Sequence, residues 1–212
     1  MRIVLALAAV LTFTGCAGKL DYFPPTSLAT AGANSKLIER PRNAVWDKAI
    51  PELGKQYFVI NNLDRSSGII NISYTGDPEF YIDCGRIVSY VKNAQGERTY
   101  DFAGAKAQQR YEIMNPSVGL FEVDRRMNLD GRVNIIFEEL GPSSTRVTAN
   151  TRYVVARTQT IRNVGNNFPQ TTNDTLTFNS GGRASFPPAR DGRSSECAAT
   201  GALEDAILRA VE

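Results

Sequence analysis

Residues 119–141 read GLFEVDRRMNLDGRVNIIFEELG, and the fold turns on how this stretch is divided. Phe121, Val123, Met127 and Leu129 alternate with Glu122, Asp124, Arg126 and Asn128, the period-two pattern of a half-buried strand, which Arg125 interrupts. Asp130-Gly131 then matches a two-residue hairpin turn, because both central positions of a type I′ turn need positive φ. Val133, Ile135 and Phe137 continue on the far side. Gly141-Pro142-Ser143-Ser144 makes the next turn, and Val147, Ala149, Tyr153 and Val155 share a face of a third strand. The expectation is a three-stranded antiparallel meander over about 119–162 with one face turned to water.

Working outward, Gln56 to Asn62 and Ile69 to Tyr74 flank the turn residues Asp64 to Gly68 and read as a hairpin. Tyr81 to Gly85 and Arg86 to Val91 have strand character, Asn93 to Arg98 is a polar turn, and Arg110 to Met114 reads as a short strand. Thr175 to Phe178 and Arg183 to Phe186 flank Asn179-Ser180-Gly181-Gly182 as a further hairpin. Two helices frame these strands. The first opens at Pro41 with Asn43 as cap and Val45, Trp46, Ala49, Ile50 and Leu53 on one stripe, with Pro51 predicting a kink or an end near Ile50. The last carries Leu203, Ala206, Ile207, Ala210 and Val211 at helical spacing behind Thr200. The expected fold class is α+β: an antiparallel sheet of about six to seven strands with an N-terminal and a C-terminal helix packed on one face, a helix-grip-like arrangement.

At the N-terminus, Arg2 precedes an apolar run from Ile3 to Leu11, far short of the roughly 20 residues that cross a bilayer. Phe13-Thr14-Gly15-Cys16 follows. This order resembles the signal and lipobox of bacterial lipoproteins, which implies diacylglyceryl transfer to Cys16, cleavage before it and acylation of the new amine. The competing division is ordinary signal-peptidase cleavage after Ala17, with Gly15 and Ala17 as the small residues. Ala17, rather than Asp, after the cysteine implies sorting to the outer membrane of a Gram-negative cell, facing the periplasm. The implied organisation is a signal peptide over 1–15, a lipid-anchored extended tether over 16–40 containing Pro24-Pro25, and a single domain over 41–212. With Cys16 spent on lipid in an oxidising compartment, Cys84 and Cys197 are left to pair as a disulfide. Val45-Trp46, Phe58-Val59-Ile60 and Gly68-Ile69-Ile70 together resemble domains of the C subunit of the outer-membrane β-barrel assembly machine, where a tryptophan-bearing helix leads into a strand, a glycine turn and a second strand.

Composition narrows the chemistry. Among 212 residues there is no histidine, and 24 basic against 22 acidic side chains give a net charge of +2. Ser-His-Asp and Cys-His sites and His-ligated zinc are excluded, and so weak a net field makes no case for nucleic acid. The chain has neither a CxxC pair nor a Gly-rich phosphate loop followed by Lys-Ser/Thr, and no cofactor or metal is expected. Carboxylate pairs remain: Glu122 with Asp124 on one strand face, and Glu79 with Asp83 if that segment is helical, with Phe121, Tyr153 or Tyr111 as stacking partners for a sugar. Arginines at 125, 126, 132, 146, 152, 157, 162, 183, 190 and 193 either pair with interspersed acids on a solvated face or gather on one side of the sheet for an acidic partner. The reading reached is a membrane-anchored, non-enzymatic binding or scaffold component of the cell envelope with a protein partner there. A carrier of a lipid or small apolar ligand in a helix-over-sheet cavity, or a carboxylate-dependent hydrolase, stands as the alternative.

Overall fold

The computed structural model describes residues 16–26, 32–56, 58–188 and 194–212; the proposed signal over 1–15 lies outside them. Two strands dominate. β9 runs without interruption from Gly119 to Gly141, and β10 from Ser144 to Asn163. They pair antiparallel along almost their whole length across the two-residue turn Pro142-Ser143, with Asn163 opposite Phe121 and Val147 opposite Phe137. The hairpin expected at Asp130-Gly131 is therefore absent, and neither residue has positive φ. The reason is parity. Val123, Arg125, Met127, Leu129, Val133, Ile135 and Phe137 are all odd-numbered and all buried. A two-residue turn at 130–131 would set Leu129 opposite residue 132 and throw Val133, Ile135 and Phe137 onto the other face. Gly131 sits on the inward row, where a Cβ would come within 3.1 Å of Leu203 Cδ2. Its smallness admits the C-terminal helix.

The ribbon is flanked differently in its two halves. β8 (Gln108–Asn115) pairs with the first half of β9 and β4 (Ile69–Gly76) with the second, and β3 (Val59–Asp64) adds to β4. On the β10 side lie β11 (Pro169–Asn179) and the short β2 (Ser35–Ile38). These seven strands form one sheet. A second, three-stranded sheet has the order β1 (Ala17–Phe23), β6 (Arg86–Asn93), β7 (Gly96–Ala103), and a third the order β12 (Arg183–Ser185), β13 (Glu196–Ala199), β5 (Ile82–Asp83). The α+β, helix-grip-like expectation is overturned: among the described residues the chain is mostly β, with 60% in strands and 12% helical. The two helices among the described residues, α1 (Arg42–Gly54) and α2 (Ala202–Ala210), are short, and α1 follows two strands. The segment read as a tether supplies β1 and β2, each paired along its length. β12 also departs from expectation, pairing with β13 instead of β11.

Both helices keep their predicted apolar faces. Val45, Trp46, Ala49 and Leu53 of α1 are buried, and Trp46 meets Phe137 edge-on with ring centroids 5.2 Å apart, a core role. Pro51 does not end α1, which runs on to Gly54: the exposed proline forgoes one hydrogen bond, and Lys55 N–H still reaches the Pro51 carbonyl at 3.2 Å. The Pro41 carbonyl, not Asn43, receives the first helical N–H groups, from Ala44 and Val45. In α2 the cap position is Gly201, with φ 83°, and Thr200 Oγ1 accepts from Ala202 N–H at 3.2 Å. Leu203, Ile207, Leu208 and Val211 join Trp46, Leu53, Phe137 and Tyr153 in the main core; a smaller core of Phe102, Tyr111 and Val123 lies under β1, β6 and β7.

The β3–β4 hairpin forms as predicted, and its turn is chemically specified. The Asp64 carboxylate accepts from Ser66 Oγ, Ser67 N–H and Ser67 Oγ at 2.7, 3.1 and 2.7 Å. Gly68, at φ +67°, brings its backbone so close to the Phe137 carbonyl that a Cβ would stand 2.6 Å from that oxygen. The Ser66 and Ser67 hydrogen bonds hold the Asp64 pKa down at about 2, from an ordinary 3.8. A depressed folded-state value means that the contribution is present above pH ~4 and lost as pH falls through about 2. The Asp64 carboxyl carbon is accordingly expected to titrate near pH 2 by NMR; a midpoint near 4 would mean the turn is not closed in solution.

Candidate functional site

The outward face of the seven-stranded sheet carries a transverse row of asparagines. Asn62 stands opposite Asn71, Asn71 opposite Asn134, and Asn134 opposite Asn150. Side-chain amides link Asn62 to Asn71 at 3.3 Å, Asn71 to Asn134 at 2.6 Å, and Asn34 to Asn150 at 3.0 Å. One step along the strands, Ser73, Arg132, Arg152 and Asn179 form a parallel row, with the two arginines directly opposite each other. Like charges so placed repel. Arg132 lies 3.5 Å from Asp130, and Arg152 has no acidic partner among the described residues. Asn34, Asn150, Thr151, Asn179 and Ser180 rim a shallow depression of about 620 Å³ around these arginines. Each amide both donates and accepts, so the face offers mixed hydrogen-bonding groups plus uncompensated positive charge. Sequence reading missed this row because pairing register alone aligns asparagines from four strands and a loop.

A second concavity, of about 520 Å³, holds the expected pair Glu122 and Asp124 together with Glu112. Glu112 of β8 is directly opposite Glu122 of β9, and Asp124 is two residues further on. Tyr111 lies beside them, while Tyr153 lies in the main core and the Glu79–Asp83 segment is a turn entering β5 rather than a helix. Asp83 instead accepts from Gly85 and Thr26 N–H. Every acid in the groove is held by arginine: Glu112 by Arg98 at 2.6 Å, Glu122 by Arg162, and Asp124 by Arg110 at 2.9 Å and Arg126 at 3.6 Å. Tyr100 also donates to Glu112 at 3.1 Å, and burial pushes its hydroxyl pKa up. The Glu112 hydrogen bond raises that of Arg98. The groove is an ion-pair lattice.

No family model, curated protein or solved structure matches this chain. Its function has to be read from the geometry.

The remaining arginines divide cleanly. Arg146 pairs with Glu138 at 3.0 Å and Arg183 with Glu196 at 2.9 Å, as a solvated charge-paired face would have it. Arg125 and Arg157 are buried instead, and positions 190 and 193 lie outside the described residues. Cys84 and Cys197 form a disulfide with Cα atoms 4.0 Å apart, both side chains buried. It joins the end of β5 to β13, next to the start of α2. Cys16 is free and exposed, directly ahead of β1. Among the described residues no helix is long and apolar enough to cross a membrane.

Proposed function

We propose that the chain is a lipoprotein of the Gram-negative outer membrane, anchored through acyl chains on Cys16 and facing the periplasm, that serves as a non-enzymatic binding or scaffold component of the envelope. The observation that carries the binding role is the open sheet face, with its asparagine row and the opposed Arg132 and Arg152. A flat array of amides beside two opposed guanidinium groups, of which Arg152 has no acidic partner among the described residues, suits a polar partner that brings acidic groups. A hydrolase is disfavoured because the groove's carboxylates are each committed to guanidinium groups. The apolar-carrier reading is disfavoured because Trp46, Leu53, Phe137, Tyr153, Leu203 and Ile207 fill the space between the helices and the sheet. The Cys84–Cys197 disulfide suits an oxidising compartment.

In this reading the anchor joins the body with almost no spacer, since Ala17 is already opposite Lys92. Three acyl chains, at about 0.8 kcal/mol per buried methylene, suffice for stable attachment. The test is crosslinking in native membranes followed by isolation of the tagged chain. A reproducible adduct is expected that disappears in the Arg132→Glu/Arg152→Glu variant and persists in Arg126→Glu, and the intact mass of the same preparation should show lipid on Cys16. Absence of any adduct sensitive to the double reversal would remove the binding role, and an unmodified Cys16 would remove the anchor.

A further inference from the structure

Arg125 is the residue that interrupts the apolar alternation of β9, and the strand does not turn it outward. It occupies the inward row between Val123 of the small core and Met127 of the main one, and is 2% exposed. Its Nη2 donates to the Gly104 carbonyl, while Nη1 is buried with no hydrogen-bond partner. Among the described residues it faces no carboxylate at ion-pair distance. Arg157 of β10 is its diagonal neighbour, since Gln159 stands opposite Arg125 and Arg157 opposite Met127. Arg157 is also buried. It pairs with Asp174 at 2.7 Å, donates to Ser195 Oγ at 3.0 Å and stacks on Phe186 at 4.1 Å, yet its Nε is left without a partner.

Both guanidinium groups line an open cavity of about 90 Å³, together with Tyr22, Tyr111, Gln159 and Ser195. Tyr22 is a wall fixed in place, accepting from Glu196 N–H at 2.8 Å and donating to the Glu196 carbonyl at 3.0 Å. The charges do not balance: of the two guanidinium groups only that of Arg157 has a carboxylate, Asp174, and Asp21, the acid that lines the pocket, pairs with Lys19 at 2.8 Å. A buried unpaired cation costs several kcal/mol. Burial, with Arg157 nearby, lowers the Arg125 pKa only to about 10, so it keeps its charge at neutral pH. At roughly 30 Å³ per water molecule, the cavity has room for about three waters or one small oxyanion.

We infer that Arg125 and Arg157 form a binding site for a single phosphate group in this cavity between the two cores. A tetrahedral group offers acceptor oxygens in several directions at once, which matches donors arriving from two strands, and guanidinium groups are well suited to it. Free phosphate and the phosphate of a lipid headgroup share this chemistry.

The test follows thermal unfolding and ³¹P NMR linewidth of the full chain as inorganic phosphate replaces chloride at constant ionic strength. The midpoint is expected to climb with phosphate as a ligand of the native state requires. Arg125→Gln should weaken the apparent affinity about tenfold or more, the loss of a charge-assisted hydrogen bond, with Arg125→Lys intermediate and the exposed Arg126→Gln unchanged. The linewidth gives affinity separately from stability, so a destabilised variant remains informative. In a second arm, with Cys16→Ala in both proteins to remove anchoring, phosphatidylglycerol vesicles are compared with phosphate-free digalactosyldiacylglycerol vesicles. An Arg125-dependent response confined to the phosphatidylglycerol vesicles assigns the site to a headgroup, and one confined to inorganic phosphate assigns it to the free ion. Equal responses of wild type and Arg125→Gln to both probes, or a response to acetate as strong as that to phosphate, overturn the site.

Discussion

Replacing Cys84 and Cys197 together by alanine is expected to lower the unfolding free energy by about 4 to 5 kcal/mol and the melting temperature by about 10 to 20 °C. The bridge spans a sequence separation of 113, and a loop of that size, closed in the unfolded chain, removes much of its entropy. The local architecture makes the position costly to lose in the folded state as well. Cys84 sits where the chain leaves the third sheet for the second, and the backbone there is pressed from two sides: a Cβ on Gly104 would stand 2.2 Å from the Cys84 carbonyl oxygen, and one on Gly85 would stand 2.1 Å from that of Phe23. β5 contributes only Ile82 and Asp83 to its sheet. Two short strands and the start of α2 are thus tied together by one covalent link. Thermal melts of the double variant and of wild type under non-reducing conditions measure the loss; a difference below about 1 kcal/mol would mean that this corner is already fixed by packing.

What the sequence carried, and what it did not, divides along local against non-local information. The β3–β4 hairpin was legible because Asp64, Ser66, Ser67 and Gly68 specify their own turn. The helix faces were legible from spacing. Asp130-Gly131 has the composition of a turn, but parity overrides it: the odd-numbered apolar positions run from Val123 to Phe137 without a shift. Parity also marks Arg125 as an inward residue. The tether reading failed for a different reason: Ala17 to Phe23 holds no strong strand pattern, and its pairing with β6 is supplied by a segment some seventy residues away. Among the candidate residues, the disulfide followed from counting cysteines. The groove is half visible in the sequence: Glu122 and Asp124 share a strand face, whereas Glu112 meets them only through the β8–β9 register. The asparagine row and the Arg132–Arg152 opposition depend on register between distant strands, which composition cannot set.

The same non-local logic governs Glu204, whose truncation to alanine should cost about 3 to 4 kcal/mol. Glu204 is 2% exposed, and an acid at that depth persists only when its oxygens are satisfied. Tyr153 donates to Oε2 at 2.6 Å and Ser180 Oγ to Oε1 at 2.6 Å, while Ser180 Oγ itself accepts from Thr151 N–H at 2.7 Å. The carboxylate also lies in the first turn of α2, where the helix dipole favours negative charge. Hydrogen bonds to a charged group are worth about 1.5 to 3 kcal/mol each, and alanine would strand the Tyr153 hydroxyl in the core. Burial and the adjoining Glu204 push the Tyr153 pKa up. Its raised folded-state value means that the contribution is intact below pH ~10 and is lost as pH rises above it, when the unfolded chain ionises and the native one does not. Glu204→Gln keeps one acceptor and the shape and should cost about half as much. Tyr153→Phe leaves the carboxylate one donor short, so it should destabilise by about 1.5 to 3 kcal/mol and also flatten the alkaline fall in stability. If the network acts as a unit, Glu204→Leu/Tyr153→Phe should lose clearly less than the sum of its single changes. Denaturant titrations of wild type, Glu204→Leu, Tyr153→Phe and the double variant give the coupling energy directly, and strict additivity would show that the carboxylate and the phenol contribute independently.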